Sequence, residues 1–261
     1  MTPEQVKEYW TQQATVYGDS YEASWTDKHA MELENNAIKN ELYGMDILDV
    51  GCANGFKIMS LAKSGVFRFV AIDYIPEMIE KAKQRYETMK EDLISDIDFR
   101  VGNILALEFP DNYFDTVMGT RVLINLDGQE QQRKAMIECA RVLKPGGRLI
   151  ISEATTGGWR NLNLLRSWFG LSEIPIPSFN KYINEEELCS ACKDLLLHDV
   201  INFSSTYFIG TRVVKPLLIE RLGIKDSPAN PNSEINKLFS ELPSWGDYGT
   251  QKMFVFEKVV L

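Results

Sequence analysis

Histidine, cysteine and long apolar stretches are all scarce in this chain. Of its 261 residues only 2 are histidine, His29 and His198, and 4 are cysteine. Cys52, Cys139, Cys189 and Cys192 are too few and too irregularly spaced for a disulfide framework, so reduced thiols are expected. Cys189 and Cys192 form a lone CxxC near His198, but no second pair follows at zinc spacing and "NEEELCSACKDLL" has a helical pattern. Packing is their expected role, and no metal is expected. No run reaches the roughly 18 apolar residues that cross a bilayer, and "MTPEQVKEYW" lacks the basic start and apolar centre of a secretory signal. A cytoplasmic location and no membrane partner are the expectation. Basic residues are outnumbered 28 to 37, for a formal net charge of -9, which disfavours nucleic acid as a partner because phosphate binding relies on Lys and Arg. The phosphate-binding pattern GxxxxGK(S/T) is absent, which disfavours a nucleoside triphosphate.

What is present is a regular alternation. Residues 1–43 read as a helical N-terminal cap, with Thr2 as N-cap and Pro3 at the first helical position of "TPEQVKEYWTQQATVY", and "DKHAMELENNAIKNEL" as a second helix. Residues 44–153 alternate strands ("MDILDV", "RFVAID", "IDFRVGN", "FDTVMGTRVL", "RLIISEA") with helices, and "KPGG" reads as a turn before the last strand. Five such strands predict an α/β fold with a parallel, doubly wound sheet and right-handed crossovers. Residues 154–261 read as a substrate cap with two closing strands, near "LLLHDVINFS" and "KMFVFEKVV". About forty residues lie between those strands, too many for a loop, so helices are expected there. The whole is read as a single domain.

Ligands of open parallel sheets sit outside the carboxyl ends of the strands. "ILDVGCANG" falls there, and its small residues Gly51, Ala53 and Gly55 let the backbone turn and approach a ligand. Asp49 ahead of them would repel a pyrophosphate but suits an ammonium or sulfonium. Asp73 ends the second strand, placed either to accept both hydroxyls of an adenosine ribose or to cap the helix that begins at Pro76. Asn103 follows the third strand, where its amide can donate to and accept from an adenine edge.

"ILDVGCANG", "VAIDY", "FRVGNILALEFPDNYFDTV" and "RVLKPGGRLIISE" together resemble the successive motifs of class I S-adenosylmethionine-dependent methyltransferases, particularly the small-molecule branch often called type 11. The likeness runs from about Tyr9 to Glu153 and implies a Rossmann-like sheet of seven strands in the order 3-2-1-4-5-7-6, the last-numbered antiparallel. It implies S-adenosyl-L-methionine as cofactor and S-adenosyl-L-homocysteine as product. Gly51, Ala53 and Gly55 would pass beneath the methionyl part, with Asp49 near its ammonium. Asp73 would take the ribose hydroxyls, Tyr74 beside it would also bind the cofactor, and Ile75 would lie against the adenine. Asn103 would meet the adenine amino group, and the Ile104 amide a ring nitrogen. Tyr17 resembles an aromatic folded over the methionyl end, and Thr120 and Arg121 would line the same pocket. Ala53 departs from the usual middle glycine.

Methyl transfer is an in-line displacement, so such a site must hold a nucleophile roughly 3 Å from the methyl carbon. Relatives often carry a histidine after strand four, where this chain has Asn125 in "RVLINL". Glu153, at the end of the fifth strand, is the expected base or orienting group, with Tyr182 and Tyr207 as further catalytic candidates. Arg121, Arg166 and Arg212 are candidates for an anionic group on a small-molecule acceptor, and Asn161, Asn163 and Arg166 on one helical face suit a sugar. O-methylation of a sugar or sugar-phosphate intermediate of polysaccharide biosynthesis is therefore expected. The alternatives are C- or N-methylation of a quinone, polyketide or amine in a pocket lined by Trp159, Trp168, Phe169 and Phe179, and an adenosyl-ligand binding protein without catalysis.

Overall fold

The computed structural model describes residues 2–260, so the outermost residues of the expected domain, Met1 and Leu261, lie outside the described residues. Two helices lead in, α1 (Pro3–Tyr17) and α2 (Lys28–Glu41). Thr2 caps α1 as expected. Its side chain accepts the Gln5 N–H while the Gln5 side chain accepts the Thr2 N–H, which satisfies two donors that the helix start leaves open. There follow β1 (Asp46–Val50), α3 (Phe56–Ala62), β2 (Arg68–Asp73), α4 (Pro76–Met89), β3 (Asp96–Val101), β4 (Phe114–Thr120), α5 (Gln129–Val142) and β5 (Leu143–Ala154). The chain continues through α6 (Thr156–Trp168), α7 (Glu185–Cys189), β6 (Leu195–Ile201), α8 (Ser205–Ile209), α9 (Lys215–Leu222), α10 (Glu234–Ser240) and β7 (Gln251–Lys258). The long stretch between β6 and β7 is helical, as its length predicts.

All seven strands form one sheet in the order β3-β2-β1-β4-β5-β7-β6. β7 runs antiparallel to both its neighbours, and the pairs among β1 to β5 are parallel. This is the α/β, Rossmann-like arrangement that the resemblance implies. The central strands are almost wholly buried because both faces are covered. Leu48 and Val50 of β1 join one core cluster with Val117, Leu149 and Phe254, while Ile47 points the other way to Phe69, Met118 and Ile150. Each such burial is worth ~1.5–3 kcal/mol, which fixes β1 and β4 at the centre of the sheet. They are also where the winding changes direction, and their carboxyl ends diverge into a crevice.

Two local expectations change. "KPGG" does not precede β5 but bulges within it. Pairing with β4 jumps from Phe114–Leu143 to Thr116–Arg148, and Gly146 takes the left-handed φ of 74° that the kink requires. The helix expected across "NEEELCSACKDLL" stops at Cys189, where the Ser190 hydroxyl donates to the carbonyls of Glu186 and Glu187 and the chain turns into β6. Cys189 and Cys192 are free thiols packed against the main core cluster.

Candidate functional site

A cavity of about 290 Å³ opens at the carboxyl ends of β1, β2 and β4. Its floor is the turn after β1. Gly51, Ala53 and Gly55 adopt left-handed φ values of 76°, 48° and 74° at alternate positions, which folds the chain back on itself. The N–H groups of Gly51 and Cys52 both donate to the Ile72 carbonyl, at 2.8 and 2.9 Å, and this draws the turn against β2. A Cβ on Gly51 would come within 3.0 Å of Val122, in a conformation that side chains already disfavour. Ala53 holds such a conformation with a side chain present, at a cost of roughly 1–2 kcal/mol. Gly51 and Ala53 line the cavity, whereas Gly55 packs away from it against Ala82 and Phe99.

Asp73, at the end of β2, lines the cavity and braces both of its edges. Its Oδ2 accepts the Ala53 N–H at 2.8 Å and its Oδ1 accepts the Ile75 N–H at 2.9 Å. Each carboxylate oxygen has two lone pairs, so acceptor capacity remains toward the cavity. Burial pushes this carboxyl up to about 6, with the two backbone donors opposing it. Ile75 and Ile104 line the cavity, 4% and 7% exposed, and Asn103, just after β3, lines it with its Oδ1 accepting the Leu105 N–H. The exposed ring of Tyr74 sits at the rim under Lys7. Thr120 and Arg121 enter from β4. Arg121, at φ 54°, is turned so that its guanidinium pairs with the buried Glu34 of α2 and stacks 4.5 Å over Trp25.

The roof was not anticipated. Pro3, Val6, Lys7 and Trp10 of α1 line the cavity together with Phe179, whose ring meets Trp10 edge-on at 6.4 Å. Trp10 Nε1 donates to Asn125 Oδ1 at 3.3 Å, Asn125 Nδ2 donates to the Arg121 carbonyl at 2.6 Å, and Tyr9 stacks on Phe179 at 4.8 Å. Both ends of the Asn125 amide are thus engaged. Asn54 in the turn and Lys57 at the start of α3 complete the floor. Asn54 is fully buried and donates to the carbonyls of Gly18 and Ser20, which ties the N-terminal segment to the turn. Lys57 carries a buried ammonium into the cavity floor. A charged residue in the otherwise apolar start of α3 was the available signal.

Several expected site residues lie elsewhere. Asp49 is fully buried and does not line the cavity, because its Oδ1 accepts from Lys57 Nζ at 2.9 Å. Tyr17 ends α1 on the surface, 36% exposed, and does not fold over the cavity. Glu153 does not line the cavity and braces the turn beside it. It is wholly buried, and its Oε1 accepts the N–H groups of Val122 and Leu123 at 2.8 and 2.7 Å, fixing the turn that carries Arg121. Burial holds its carboxyl well above the ordinary range, at about 8. Tyr182 packs against the main core, where burial raises its hydroxyl. Tyr207 is 1% exposed, donates to Asp27 Oδ1 at 2.6 Å and accepts from Asn236, so its hydroxyl is fully used inside the cap. Arg212 pairs with the same Asp27 at 3.0 Å.

The expected sugar-binding face is likewise occupied. Asn161 donates to the Asp247 carbonyl, Asn163 exchanges two hydrogen bonds with the backbone of Ile174, and buried Arg166 donates to the carbonyls of Ser172 and Arg212. Trp159 donates to the Ile174 carbonyl and Trp168 is 68% exposed. Of the aromatics named for an apolar acceptor pocket, only Phe179 lines the cavity. Among the described residues no cluster of His, Cys, Asp and Glu could hold a metal ion, and no helix is long and apolar enough to cross a membrane.

Comparison with known proteins addresses this same region. Residues 48–151 match the family described as a methyltransferase domain. Among curated proteins the chain is 36% identical over 114 residues to an uncharacterized methyltransferase of Schizosaccharomyces pombe, covering 41% of this chain and 39% of that one. It is 30% identical over 133 residues to the O-methyltransferase rstn1 of Aspergillus nomiae, covering 51% and 57%. It is 35% identical over 124 residues to a ubiquinone biosynthesis O-methyltransferase of Xanthomonas euvesicatoria, covering 47% and 48%. The chain thus spans about half the length of the curated relatives it matches. Among solved structures, the N-methyltransferase NodS of Bradyrhizobium japonicum in complex with S-adenosyl-L-homocysteine superposes with a TM-score of 0.57 at 16% identity, covering 96% of this chain and 98% of that one. The cyclase SpnF superposes at 0.59 and 20% identity, covering 89% and 82%. These two share the fold, which serves more than one chemistry. Residues 48–151 thus carry the match to a methyltransferase domain, on a sheet whose strand order this chain shares with solved methyltransferase structures.

Proposed function

We propose that the protein methylates a small, predominantly apolar acceptor, using S-adenosyl-L-methionine bound at the ends of β1, β2 and β4. The observation that carries the reading is Asp73, whose two oxygens are fixed by backbone donors on either side while the carboxylate still borders the cavity. A group held so firmly suits the paired hydroxyls of a ribose, which donate to an acceptor already in place. Ile75 and Ile104 supply apolar walls for an adenine ring, and Asn103 a polar edge. The bound cofactor would supply a sulfonium-linked methyl group activated for in-line displacement. The protein's contribution is then to orient the acceptor and exclude water, for which the Trp10 and Phe179 walls and the α1 roof are suited.

The sugar reading rested on Asn161, Asn163 and Arg166, and each is engaged by the cap's own backbone. The cavity surface is mainly apolar, with Val6, Trp10, Leu126 and Phe179 beside polar Lys7, Gln131 and Lys181, which supports a flat, largely apolar acceptor such as a phenol or quinol. Relatives named for O-methylation and ubiquinone biosynthesis fit this reading. The test is incubation with S-adenosyl-L-methionine and two acceptor panels, hydroquinones with simple phenols and nucleotide sugars with free sugars, followed by mass spectrometry for a gain of one methylene. The gain is expected in the first panel. A gain confined to the sugars would reverse the acceptor assignment, and binding of cofactor without transfer to any acceptor would favour a non-catalytic role.

A further inference from the structure

Lys57 is out of place by the ordinary rules of helix construction. It sits in the first turn of α3, where the helix dipole repels a cation, and its side chain is only 6% exposed. A buried ammonium needs partners, and two are present: Asp49 Oδ1 at 2.9 Å and Thr120 Oγ1 at 3.0 Å. An ammonium has three N–H donors, so one is left without a protein acceptor among the described residues, in a side chain that lines the cavity beside Gly51 and Thr120. Behind it, Asp49 Oδ2 is buried and has no partner either. Lys57 and Asp49 thus form a neutral pair that turns its positive end to the cavity, at the place where the cofactor reading puts the amino-acid tail of the ligand.

We propose that Lys57 receives the carboxylate of that tail, with Asp49 and Thr120 as positioning residues that hold the ammonium in place. This inference rests on the cofactor reading and changes one part of it. Asp49 does not border the cavity, so its charge acts on the ligand through Lys57 rather than by meeting the ligand's own ammonium. A ligand that lacks the amino-acid tail gains nothing from Lys57, whereas Asp73 serves both kinds.

The test is calorimetric titration of wild type, Lys57→Met and Lys57→Gln with S-adenosyl-L-homocysteine and with 5′-methylthioadenosine, which has the adenosine and thioether but no tail. Lys57→Met is expected to weaken S-adenosyl-L-homocysteine roughly 10- to 100-fold, the size of a lost charge-assisted contact, and to leave 5′-methylthioadenosine unchanged. Lys57→Gln keeps an N–H toward Asp49 and Thr120 without the charge, and should show the same selectivity with a smaller loss. Retained 5′-methylthioadenosine binding reports that each variant is folded. Equal weakening of both ligands in both variants would make Lys57 a support of the turn and overturn the proposal, as would an unchanged affinity for S-adenosyl-L-homocysteine. Wild type that bound neither ligand would instead remove the cofactor reading itself.

Discussion

The β1–β5 core and the cap that follows it use their polar side chains in opposite ways. In the core the backbone is satisfied by strand ladders and helices, so residues at strand ends such as Asp73, Asn103 and Thr120 have acceptor or donor capacity left for the cavity. Between β5 and β7 regular structure is short and loops are long, and their carbonyls and N–H groups need partners. Side chains provide them: Trp159 and Asn163 to Ile174, Asn161 to Asp247, Arg166 to Ser172, Ser205 to Trp245. Asp73, Asn103 and Thr120 keep capacity toward the cavity, while Asn161, Asn163 and Arg166 are engaged by the cap's own backbone.

The comparison can be broken most directly at Asp73. Asp73→Ala should weaken S-adenosyl-L-homocysteine and 5′-methylthioadenosine alike by on the order of 1 to 3 kcal/mol in calorimetry, because both carry the ribose. A loss for only one of them would place the ribose elsewhere. In the cap, Tyr207→Phe removes the hydrogen bonds to Asp27 and Asn236 and should lower unfolding stability by about 1 to 3 kcal/mol in urea titration, with ligand affinity unchanged. A change in turnover without a change in stability would return Tyr207 to the site.

Two pH profiles sharpen the contrast. Because burial raises Asp73 to about 6 and its ionised form accepts hydroxyls best, ligand affinity should fall as pH drops through about 6, and Asp73→Asn should flatten that fall. Glu153 is raised to about 8 from an ordinary 4.5, so the native state keeps a proton that the unfolded chain releases. Its contribution to stability is complete below 4.5 and is lost as pH rises through about 8. Glu153→Gln keeps a carbonyl for the Val122 and Leu123 donors and should flatten melting temperature over that window while turnover persists. A large loss of turnover would restore Glu153 as a base. The smallest effect is expected from Asn161→Ala, which should leave the acceptor KM unchanged.

How far the sequence could be read follows the same division. The sheet order was legible because four motifs fall at matching spacings along "ILDVGCANG" to "RLIISE", and β7 and β6 read as strands at the end. Asp73, Gly51, Ala53 and Ile75 were legible because a strand end fixes where its last residues point. Asp49 was misplaced because its partner, Lys57, lies eight residues on, and no pattern of strands shows which side chain of α3 folds back beneath the turn. That Glu153 and Tyr207 point away from the cavity is not legible in the sequence, because the groups that engage them, at Val122, Leu123, Asp27 and Asn236, are distant in it. The α1 roof was hidden for the same reason, since Trp10 meets Asn125 across 115 positions.

A crystal structure grown with S-adenosyl-L-homocysteine tests the central claim most directly. The account predicts the ribose hydroxyls within hydrogen-bond distance of Asp73 and the tail carboxylate within that distance of Lys57 Nζ. Adenosine lodged outside the crevice between β1, β2 and β4, with Asp73 making no contact to it, would contradict the account.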